Sequence, residues 1–342
     1  MKPMRVLVLV HETLVPPEDS SGYTVEQVDE WRTEYDVSSS LRAMGHEVRV
    51  LGMGDNLAEL RSAITDWKPD IAFNLLEEFQ GIVTYDQYVV AFLELMRQPY
   101  TGCNPRGMMI SRDKVLSKQI LAYHRIPTPK FVLLPRNRRF REPRRLRFPL
   151  FVKSATEDAS LGISQASIVH DGQRLRERVE FIHEQTTSDA LVEEYVEGRE
   201  IYIGLIGNER LTTFPLWELN FGTLPEVMAG IATRKVKWDR KYQLKHGIGT
   251  GPALDLPEGL APRVAQLARR VYRALCLSGY GRLDLRLGPD GSVFVLEANA
   301  NPNLAQTEDL ATSALASGVG YDALLERILR FGVTYQAAWR QA

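Results

Sequence analysis

Residues 282–303, RLDLRLGPDGSVFVLEANANPN, contain the strand–turn–strand pattern on which the fold assignment depends. The segment GPDG at 288–291 has the residue types of a tight turn, and apolar residues alternate with polar ones on both sides of it. Side chains of a strand alternate between two faces, so the pattern predicts a hairpin with one apolar and one charged face. The predicted apolar face consists of Leu283, Leu285, Leu287, Phe294 and Leu296. The predicted charged face consists of Arg282, Asp284, Arg286, Glu297 and Asn299.

The charged face brings two carboxylates together and therefore requires a cation. Two carboxylates about 5 Å apart repel by roughly 3 kcal/mol at an effective dielectric of 20. A four-residue turn pairs Arg282 with Glu297 and Asp284 with Val295, and ordinary ion pairs to the arginines would then neutralise the acids. Alternatively, two carboxylates and the Asn299 amide oxygen form an all-oxygen site for Mg²⁺, which keeps substrate phosphates among its ligands. The hairpin alone leaves both interpretations open.

Other segments are candidates for holding phosphate. A helix predicted to begin at Ser111 as its N-cap carries Lys114 and Lys118 on one face, although such pairs are often ordinary surface lysines. Lys153 ends the apolar strand FPLFVKS and precedes TEDASLGIS, whose small residues allow backbone N–H groups to face an anion. The segment LVEEYVEGREI adds strand-end carboxylates, which are common in any sheet.

The order of elements predicts an α/β fold with more than one domain. From residue 5, the strands RVLVLV, EVRVL and IAFNLL alternate with helical stretches, and this alternation predicts parallel strands with crossover helices. A stretch with Gly and Pro, QPYTGCNP, indicates a domain edge near residue 109. A long amphipathic helix is predicted from about Leu260 to Cys276.

Five of these segments together resemble the ATP-grasp enzymes of the D-alanine–D-alanine ligase-like group. DKVLSK, FPLFVKSATEDASLGIS, LVEEYVEGREI, GRLDLRL and VFVLEANANPN stand in the order and spacing of that family, over residues 5–330. The resemblance implies an ATP-grasp fold, α/β (α+β), behind an N-terminal parallel α/β domain. It further implies three domains: an N-terminal domain at 1–109, a central nucleotide-covering domain at 110–195, and a C-terminal domain with the metal site at 196–342.

The resemblance also implies roles for individual residues. The residues implied to bind ATP are Lys114, Lys153, Ser160, Glu193, Val196 and Glu200. The residues implied to bind two Mg²⁺ ions, with Mn²⁺ as an alternative, are Asp284, Glu297 and Asn299. The residues implied to act in catalysis are Arg282, Lys153 and Lys241, the last in a segment that closes over the site.

In this family a substrate carboxylate attacks the γ-phosphate of ATP, and an amine then displaces phosphate from the acyl phosphate. The resemblance therefore implies an ADP-forming carbon–nitrogen ligase for a small, amino-acid-like acid and an amine. Two alternatives remain: the same fold can pass the phosphoryl or acyl group to another acceptor, or the chain can be a nucleotide-binding regulator without turnover. Retention of the full metal set argues against the regulator.

The sequence departs from the dipeptide ligases around the substrates. HETLVPPEDS replaces their glycine-rich start, Ala159 replaces a substrate-linked serine, and Asn303 replaces a glycine. Glu308 falls where a serine is expected to hold the carboxylate of the acceptor, so a different substrate pair is expected. Acids at predicted strand ends of the first domain are further candidates for binding a substrate ammonium: Glu12, Glu77 and Glu78.

Composition excludes several other classes of protein. The 342 residues include 42 basic and 43 acidic side chains, and this balance argues against nucleic acid or membrane partners. The arginine-rich segment 135–149 is expected to be a solvated connector, with an RNA or acidic-protein contact as the alternative. The two cysteines, Cys103 and Cys276, are far apart in sequence and fit a reducing cytoplasm. The resemblance implies a homodimer.

Overall fold

The structure is a computed structural model that describes residues 2–156, 163–186, 188–224 and 231–341. Its strands are β1 (Arg5–His11), β2 (Glu47–Met53), β3 (Ile71–Asn74), β4 (Phe131–Leu134), β5 (Leu150–Ser154), β6 (Ile168–Val169), β7 (Ala190–Glu194), β8 (Arg199–Ile206), β9 (Thr212–Thr213), β10 (Trp217–Asn220), β11 (Gly249–Pro252), β12 (Tyr280–Leu287) and β13 (Val293–Asn299). Its α-helices are α1 (Val25–Glu30), α2 (Arg32–Ala43), α3 (Ala58–Ser62), α4 (Asp86–Leu95), α5 (Pro105–Arg112), α6 (Lys114–Tyr123), α7 (Gly172–Thr186), α8 (Arg234–Trp238), α9 (Arg240–His246), α10 (Leu260–Ala274), α11 (Asp309–Ala316), α12 (Tyr321–Thr334) and α13 (Ala338–Gln341).

The first sheet has the parallel order β2-β1-β3 that the alternation of strands and helices predicts. Both faces of β1 are buried: Val8 packs in the cluster that contains Leu325 of α12, and Leu9 packs in the cluster on the opposite face. A strand covered on both faces appears in sequence as a continuous apolar run, which explains RVLVLV. The helix predicted to end before Gly45 is α2, and Gly45 adopts φ +87°, a left-handed conformation that glycine tolerates.

Two antiparallel sheets follow. The central sheet has the order β4-β7-β5-β6, and α7 packs on it through Leu175, Val179 and Ile182. The C-terminal sheet has the order β11-β10-β8-β12-β13, with β9 paired to β8. The predicted amphipathic helix is α10, whose Leu260 and Val264 lie in the core cluster beneath this sheet.

The hairpin β12–β13 forms as predicted, but its predicted register is wrong. Asp290 accepts hydrogen bonds from the backbone N–H and the hydroxyl of Ser292, so Ser292 belongs to the loop and the turn is one residue longer. A β-bulge after Asp284 leaves Leu296 as the extra residue of β13. Asp284 is therefore paired directly with Glu297, and the pairs predicted for Arg282 and Asp284 do not form. The apolar face consists of Leu283, Leu285, Leu287, Val293, Val295 and Ala298 rather than including Phe294 and Leu296.

One of the two predicted domain divisions falls inside a helix, and the other falls between two strands. The division at 109/110 lies inside α5, and the division at 195/196 lies between β7 and β8. The three-domain organisation remains a prediction. None of the helices in the described ranges has both the length and the apolar character needed to cross a membrane.

Candidate active site

Two neighbouring cavities lie where the central sheet faces the C-terminal sheet. The smaller cavity has a volume of about 90 Å³, and the larger one has a volume of about 320 Å³. Lys114, Lys237 and Glu297 line both of them, so the two cavities share a boundary of charged side chains. Apolar side chains on the smaller cavity are Phe151, Ile163, Val196, Ile231 and Leu296.

The first residue of α6 is positioned by a capping interaction that differs from the prediction. Asp113 caps α6 by accepting hydrogen bonds from the N–H groups of Val115 and Leu116. Ser111 lies inside α5 instead, so the prediction of Ser111 as the N-cap is wrong. Because Asp113 fixes the start of α6, Lys114 is its first residue and reaches both cavities.

Two buried lysines share one buried carboxylate at the smaller cavity. Lys118 Nζ lies 2.5 Å from Glu193 Oε1, and Lys153 Nζ lies 3.1 Å from Glu193 Oε2. Lys118 also donates to Thr128, which donates in turn to the carbonyl of Val295. Lys114 and Lys153 line the smaller cavity itself, and their ammonium groups would attract a bound anion.

The pKa shifts within this group follow from burial and from the shared carboxylate. Burial lowers the pKa of Lys118 below its usual value, although Glu193 opposes the shift. Burial acts the same way on Lys153, but Glu193 and Glu297 outweigh it and raise the pKa of Lys153. Burial would raise the pKa of Glu193, yet the two lysines lower it below its usual value. The shifts of Lys153 and Glu193 both favour the charged form of the group, whereas burial opposes the charged form of Lys118.

Glu200 is held on the opposite side of the same cavity. It accepts hydrogen bonds from Tyr202 Oη at 2.9 Å and from Arg286 Nη2 at 3.3 Å. Lys237 Nζ lies 3.8 Å from Glu200 and 3.6 Å from Asp284, so one ammonium group faces both carboxylates. These contacts fix Glu200 at the start of β8, where the chain turns away from the central sheet.

The paired carboxylates of the hairpin face a ring of cations. Arg282 makes a bidentate contact with Asp284, with Nε and Nη2 at 2.8 and 3.1 Å from its oxygens. Lys153 Nζ lies 3.8 Å from Glu297. Burial would raise the pKa of Glu297, but four surrounding cations, Lys114 foremost, lower it to about 2. Burial raises the pKa of Asp284 despite Arg282, and Glu297 contributes to the rise.

This donor set fits a hard divalent cation. Asp284 and Glu297 supply carboxylate oxygens, and Asn299 supplies an amide oxygen that the backbone N–H of Asn301 already orients at 2.9 Å. Burial and the neighbouring Glu297 raise the pKa of Asp284, and a bound cation would favour its charged form. No group of three or more His, Cys, Asp or Glu side chains suited to a metal occurs in the part of the chain that the structure describes. The two carboxylates leave most coordination positions to other ligands, as is usual for Mg²⁺.

The larger cavity extends from Glu297 and Asn299 toward the first domain. Asn303 is held there by a hydrogen bond from Thr33 of α2 at 2.6 Å and by the N–H of Ala305 at 2.8 Å. Arg112 Nη2 lies 2.5 Å from Asp86, so this pair forms a neutral part of the lining. Additional carboxylates on the lining are Glu77, Glu308 and Asp309.

Some residues predicted from the sequence are not brought to either cavity. Glu12 is exposed beyond β1, and Glu78 lies 3.5 Å from the His11 ring rather than on the cavity lining. Lys241 is exposed in the first turn of α9. Ser160 lies outside the described residues. The predicted residues that line one or both cavities are Lys114, Lys153, Glu193, Val196, Glu200, Arg282, Asp284, Glu297, Asn299, Glu77, Asn303 and Glu308.

The structure adds residues that the sequence reasoning did not place in the site. Lys237 is the lysine of the α8–α9 segment that reaches the carboxylates, and Thr233, the N-cap of α8, was the available signal for where this helix begins. Lys118, which the sequence offered with Lys114 as a candidate for reaching phosphate or as an ordinary surface lysine, is buried beside Glu193. Glu34 of α2 lies outside the lining of both cavities; it is buried, and burial together with the carboxylate of Glu77 raises its pKa to about 7.

Comparison with known proteins gives a consistent result. A sequence profile of the family described as D-ala D-ala ligase C-terminus matches residues 120–330. The protein y4sG of Sinorhizobium fredii is 35% identical over 263 residues, which cover 76% of this chain and 73% of that protein. The D-alanine–D-alanine ligase of Oleidesulfovibrio alaskensis is 30% identical over 311 residues, covering 89% of this chain and 94% of the ligase.

A solved structure agrees in fold along nearly the whole chain. The crystal structure of the D-alanine–D-alanine ligase of Bacillus anthracis complexed with ATP superposes with a TM-score of 0.73 and 26% identity. The superposition covers 96% of this chain and 97% of that ligase. The same arrangement of a parallel sheet followed by antiparallel sheets is therefore present in a protein whose structure contains bound ATP.

Proposed function

Since this chain belongs to the D-alanine–D-alanine ligase family of ATP-grasp enzymes, we propose that its smaller cavity holds ATP and its larger cavity holds both substrates. The chain is an ADP-forming ATP-grasp carbon–nitrogen ligase that joins a carboxylate to an amine. ATP and magnesium are the cofactors of this family.

The lysine–glutamate–lysine group is the observation that carries the assignment of the nucleotide. Lys153 and Lys114 bind the phosphates, and Lys118 reinforces the positive charge around them. Glu193 orients both buried lysines and, with the backbone near Val196, accepts hydrogen bonds from the adenine amine. The sites proposed for ATP also include Glu200 for the ribose and Ser160 in the loop after β5.

The metal proposal rests on the donor set of the hairpin. Asp284, Glu297 and Asn299 hold two Mg²⁺ ions, with Mn²⁺ able to replace them. When bound, these ions neutralise the charge that develops on the phosphates during transfer. Arg282, which contacts Asp284 through two nitrogens, keeps that carboxylate oriented and retains N–H donors for the substrate.

The proposed reaction proceeds in two steps. A substrate carboxylate oxygen attacks the γ-phosphorus of ATP, and Lys153 stabilises the transferring group while ADP leaves. An amine then attacks the acyl carbon, and Arg282 stabilises the oxyanion that forms before phosphate departs. Lys237, or Lys241 after movement of the segment α8–α9, supplies a further cation to the transferred phosphate. This segment also excludes water from the acyl phosphate.

The proposed substrates differ from two D-alanine molecules. The relatives named D-alanine–D-alanine ligase carry that activity in their names, and this chain differs from the dipeptide ligases at Ala159, Asn303 and Glu308. Glu77 lies on the larger cavity and is proposed to bind the ammonium group of the acid substrate. Glu12 and Glu78 remain weaker proposals for that role. We further propose three domains as predicted, a homodimer, and a cytoplasmic location.

The experiment that tests this function uses hydroxylamine as a general amine. The purified protein is supplied with ATP, Mg²⁺ and a panel of amino acids and other carboxylates, and ADP and hydroxamates are measured. The proposal expects ADP and a hydroxamate with at least one acid, because hydroxylamine traps an acyl phosphate. ADP without hydroxamate would favour transfer to a non-amine acceptor, and bound ATP without ADP for any acid would favour a regulator.

A further inference from the structure

The start of α11 forms one wall of the larger cavity and presents an uncompensated carboxylate. Glu308 is the N-cap residue of α11, but its side chain makes no capping hydrogen bond. Within the described ranges, the Glu308 carboxylate forms no ion pair and accepts no hydrogen bond. A carboxylate that lines a cavity without a partner is suited to bind a ligand that carries a donor or a positive charge.

Arg282, the cation that lowers the pKa of Glu308, is already engaged by two other acids. Arg282 directs Nε and Nη2 to Asp284 and directs Nη1 to Asp309 at 3.2 Å. Burial and the neighbouring Asp309 raise the pKa of Glu308, and Arg282 only partly opposes them. Glu308 and Asp309 together with one shared guanidinium leave this wall negative even when Asp284 is compensated by a metal.

The remaining basic groups of this cavity are also engaged. Arg112 pairs with Asp86, and Lys237 faces Asp284 and Glu200. Lys114 interacts with Glu297 and contributes to its low pKa of about 2. The segments 157–162 and 225–230 contain three acidic residues and no Lys, Arg or His. Each cation on the described lining therefore already faces at least one protein carboxylate, and a carboxylate on the second substrate would have to compete with it.

We propose that the acceptor in the ligation is a diamine, with one amino group acting as the nucleophile and the other bound as an ammonium by Glu308. This inference rests on the proposed function and specifies its amine. The lone pair of the neutral amino group forms the C–N bond of the amide. The C–O bond to phosphate breaks, inorganic phosphate leaves with that electron pair, and the proton of the attacking amine passes to solvent.

An amino acid acceptor would meet the opposite situation. Its carboxylate would lie against Glu308 and Asp309 and would be repelled, whereas an ammonium at the same place is attracted. A difference in the sign of the charge at this position discriminates between acceptors of equal length. The acceptor with the wrong charge loses the attraction to Glu308 and is also repelled by it.

The test compares α,ω-diamines with ω-amino acids of the same length, such as 1,4-diaminobutane with 4-aminobutyrate. The acid is one that gives a hydroxamate with hydroxylamine, and kcat/KM is measured for each acceptor. The wild-type protein is expected to prefer the diamine by about 10-fold or more, equivalent to about 1.4 kcal/mol. Glu308→Gln should reduce this preference by about 10-fold, and Glu308→Lys should reverse it toward the amino acid.

The matched control is Glu258→Gln, which removes the same charge from an exposed position before α10 and should leave the preference unchanged. Equal use of both acceptors by the wild type would overturn the inference, as would a Glu308→Gln preference within about twofold of the wild type. Hydroxamate formation reports on the proposed function without any diamine. Calorimetric titration of the ADP- and Mg²⁺-loaded protein with 1,4-diaminobutane tests the inference even if no acid in the panel yields a hydroxamate. The wild-type protein should bind the diamine, and Glu308→Gln should lose that binding.

Discussion

Replacement of Glu193 by Gln tests whether the buried lysine–glutamate–lysine group is arranged as described. Glu193 is 2% exposed and contacts Lys118 at 2.5 Å and Lys153 at 3.1 Å. At an effective dielectric of 20, these two attractions amount to roughly 5–7 kcal/mol each before repulsion between the lysines and the cost of removing three charges from water. Loss of one member of a buried pair typically destabilises a protein by about 3–5 kcal/mol, and we expect that range for Glu193→Gln.

The pH dependence of this loss has a definite sign. Burial lowers the pKa of Lys118 even beside Glu193, and loss of Glu193 removes the main charge that opposes this shift. The unfolded state then binds more protons than the folded state, so the stability of the variant rises as pH increases toward the pKa of free lysine. The destabilisation should therefore be largest near neutral pH and smaller at about pH 9.5.

Urea unfolding followed by circular dichroism measures both effects, and Glu194→Gln is the matched control. Glu194 is the next residue of β7, and its contact with the exposed Lys130 is 3.8 Å long. Its replacement should cost less than about 1 kcal/mol. The reasoning is refuted if Glu193→Gln and Glu194→Gln lower the free energy of unfolding equally, or if the loss in Glu193→Gln grows as pH rises.

Three further predictions concern single side chains. Glu297→Gln should reduce ADP release by about 10³-fold or more while the melting temperature stays within a few degrees, because a metal ligand is lost without a change in volume; activity near the wild-type level would exclude the metal assignment. Lys237→Met should lower kcat by about 10-fold or more, because it removes the ammonium 3.6 Å from Asp284, and an unchanged kcat would mean that Lys241 alone serves the phosphate. Glu34, with its pKa raised to about 7, binds protons more tightly in the folded state, so wild-type stability should fall as pH rises from about 4.5 to about 7. Glu34→Gln should therefore be more stable than the wild type by roughly 3 kcal/mol at pH 8 and about equal to it at pH 4, and urea unfolding that shows no such difference would contradict the buried placement of Glu34.

The sequence predicted the elements of the site because each is a local pattern. Strand alternation identified β12 and β13, and the apolar run before Lys153 identified β5. These elements bring Lys153, Asp284 and Glu297 together, as expected from the order of the five motifs. The fold class could be predicted for the same reason, because strands joined by crossover helices and strands joined by hairpins show different hydrophobic periodicities in the sequence.

Features that depend on the three-dimensional position of single residues could not be predicted from the sequence. The bulge at Leu296 has no clear mark in an alternating pattern, and it moves every residue of β13 beyond it to a different pair. The side chain of Asp239 caps α9 locally, but which of Lys237 and Lys241 reaches the carboxylates depends on how α8 and α9 are placed against β8 and β12. The raised pKa of Glu34 likewise depends on burial by residues distant in sequence.

Transfer of an oxygen atom from the acid to phosphate tests the central claim most directly. The acid that yields a hydroxamate is labelled with ¹⁸O in both carboxylate oxygens and turned over with ATP, Mg²⁺ and an amine, and the released phosphate is examined by ³¹P NMR. Activation as an acyl phosphate predicts one ¹⁸O atom in each inorganic phosphate, because the attacking carboxylate oxygen leaves with the phosphoryl group. Inorganic phosphate without ¹⁸O, released together with the ligated product, would contradict it.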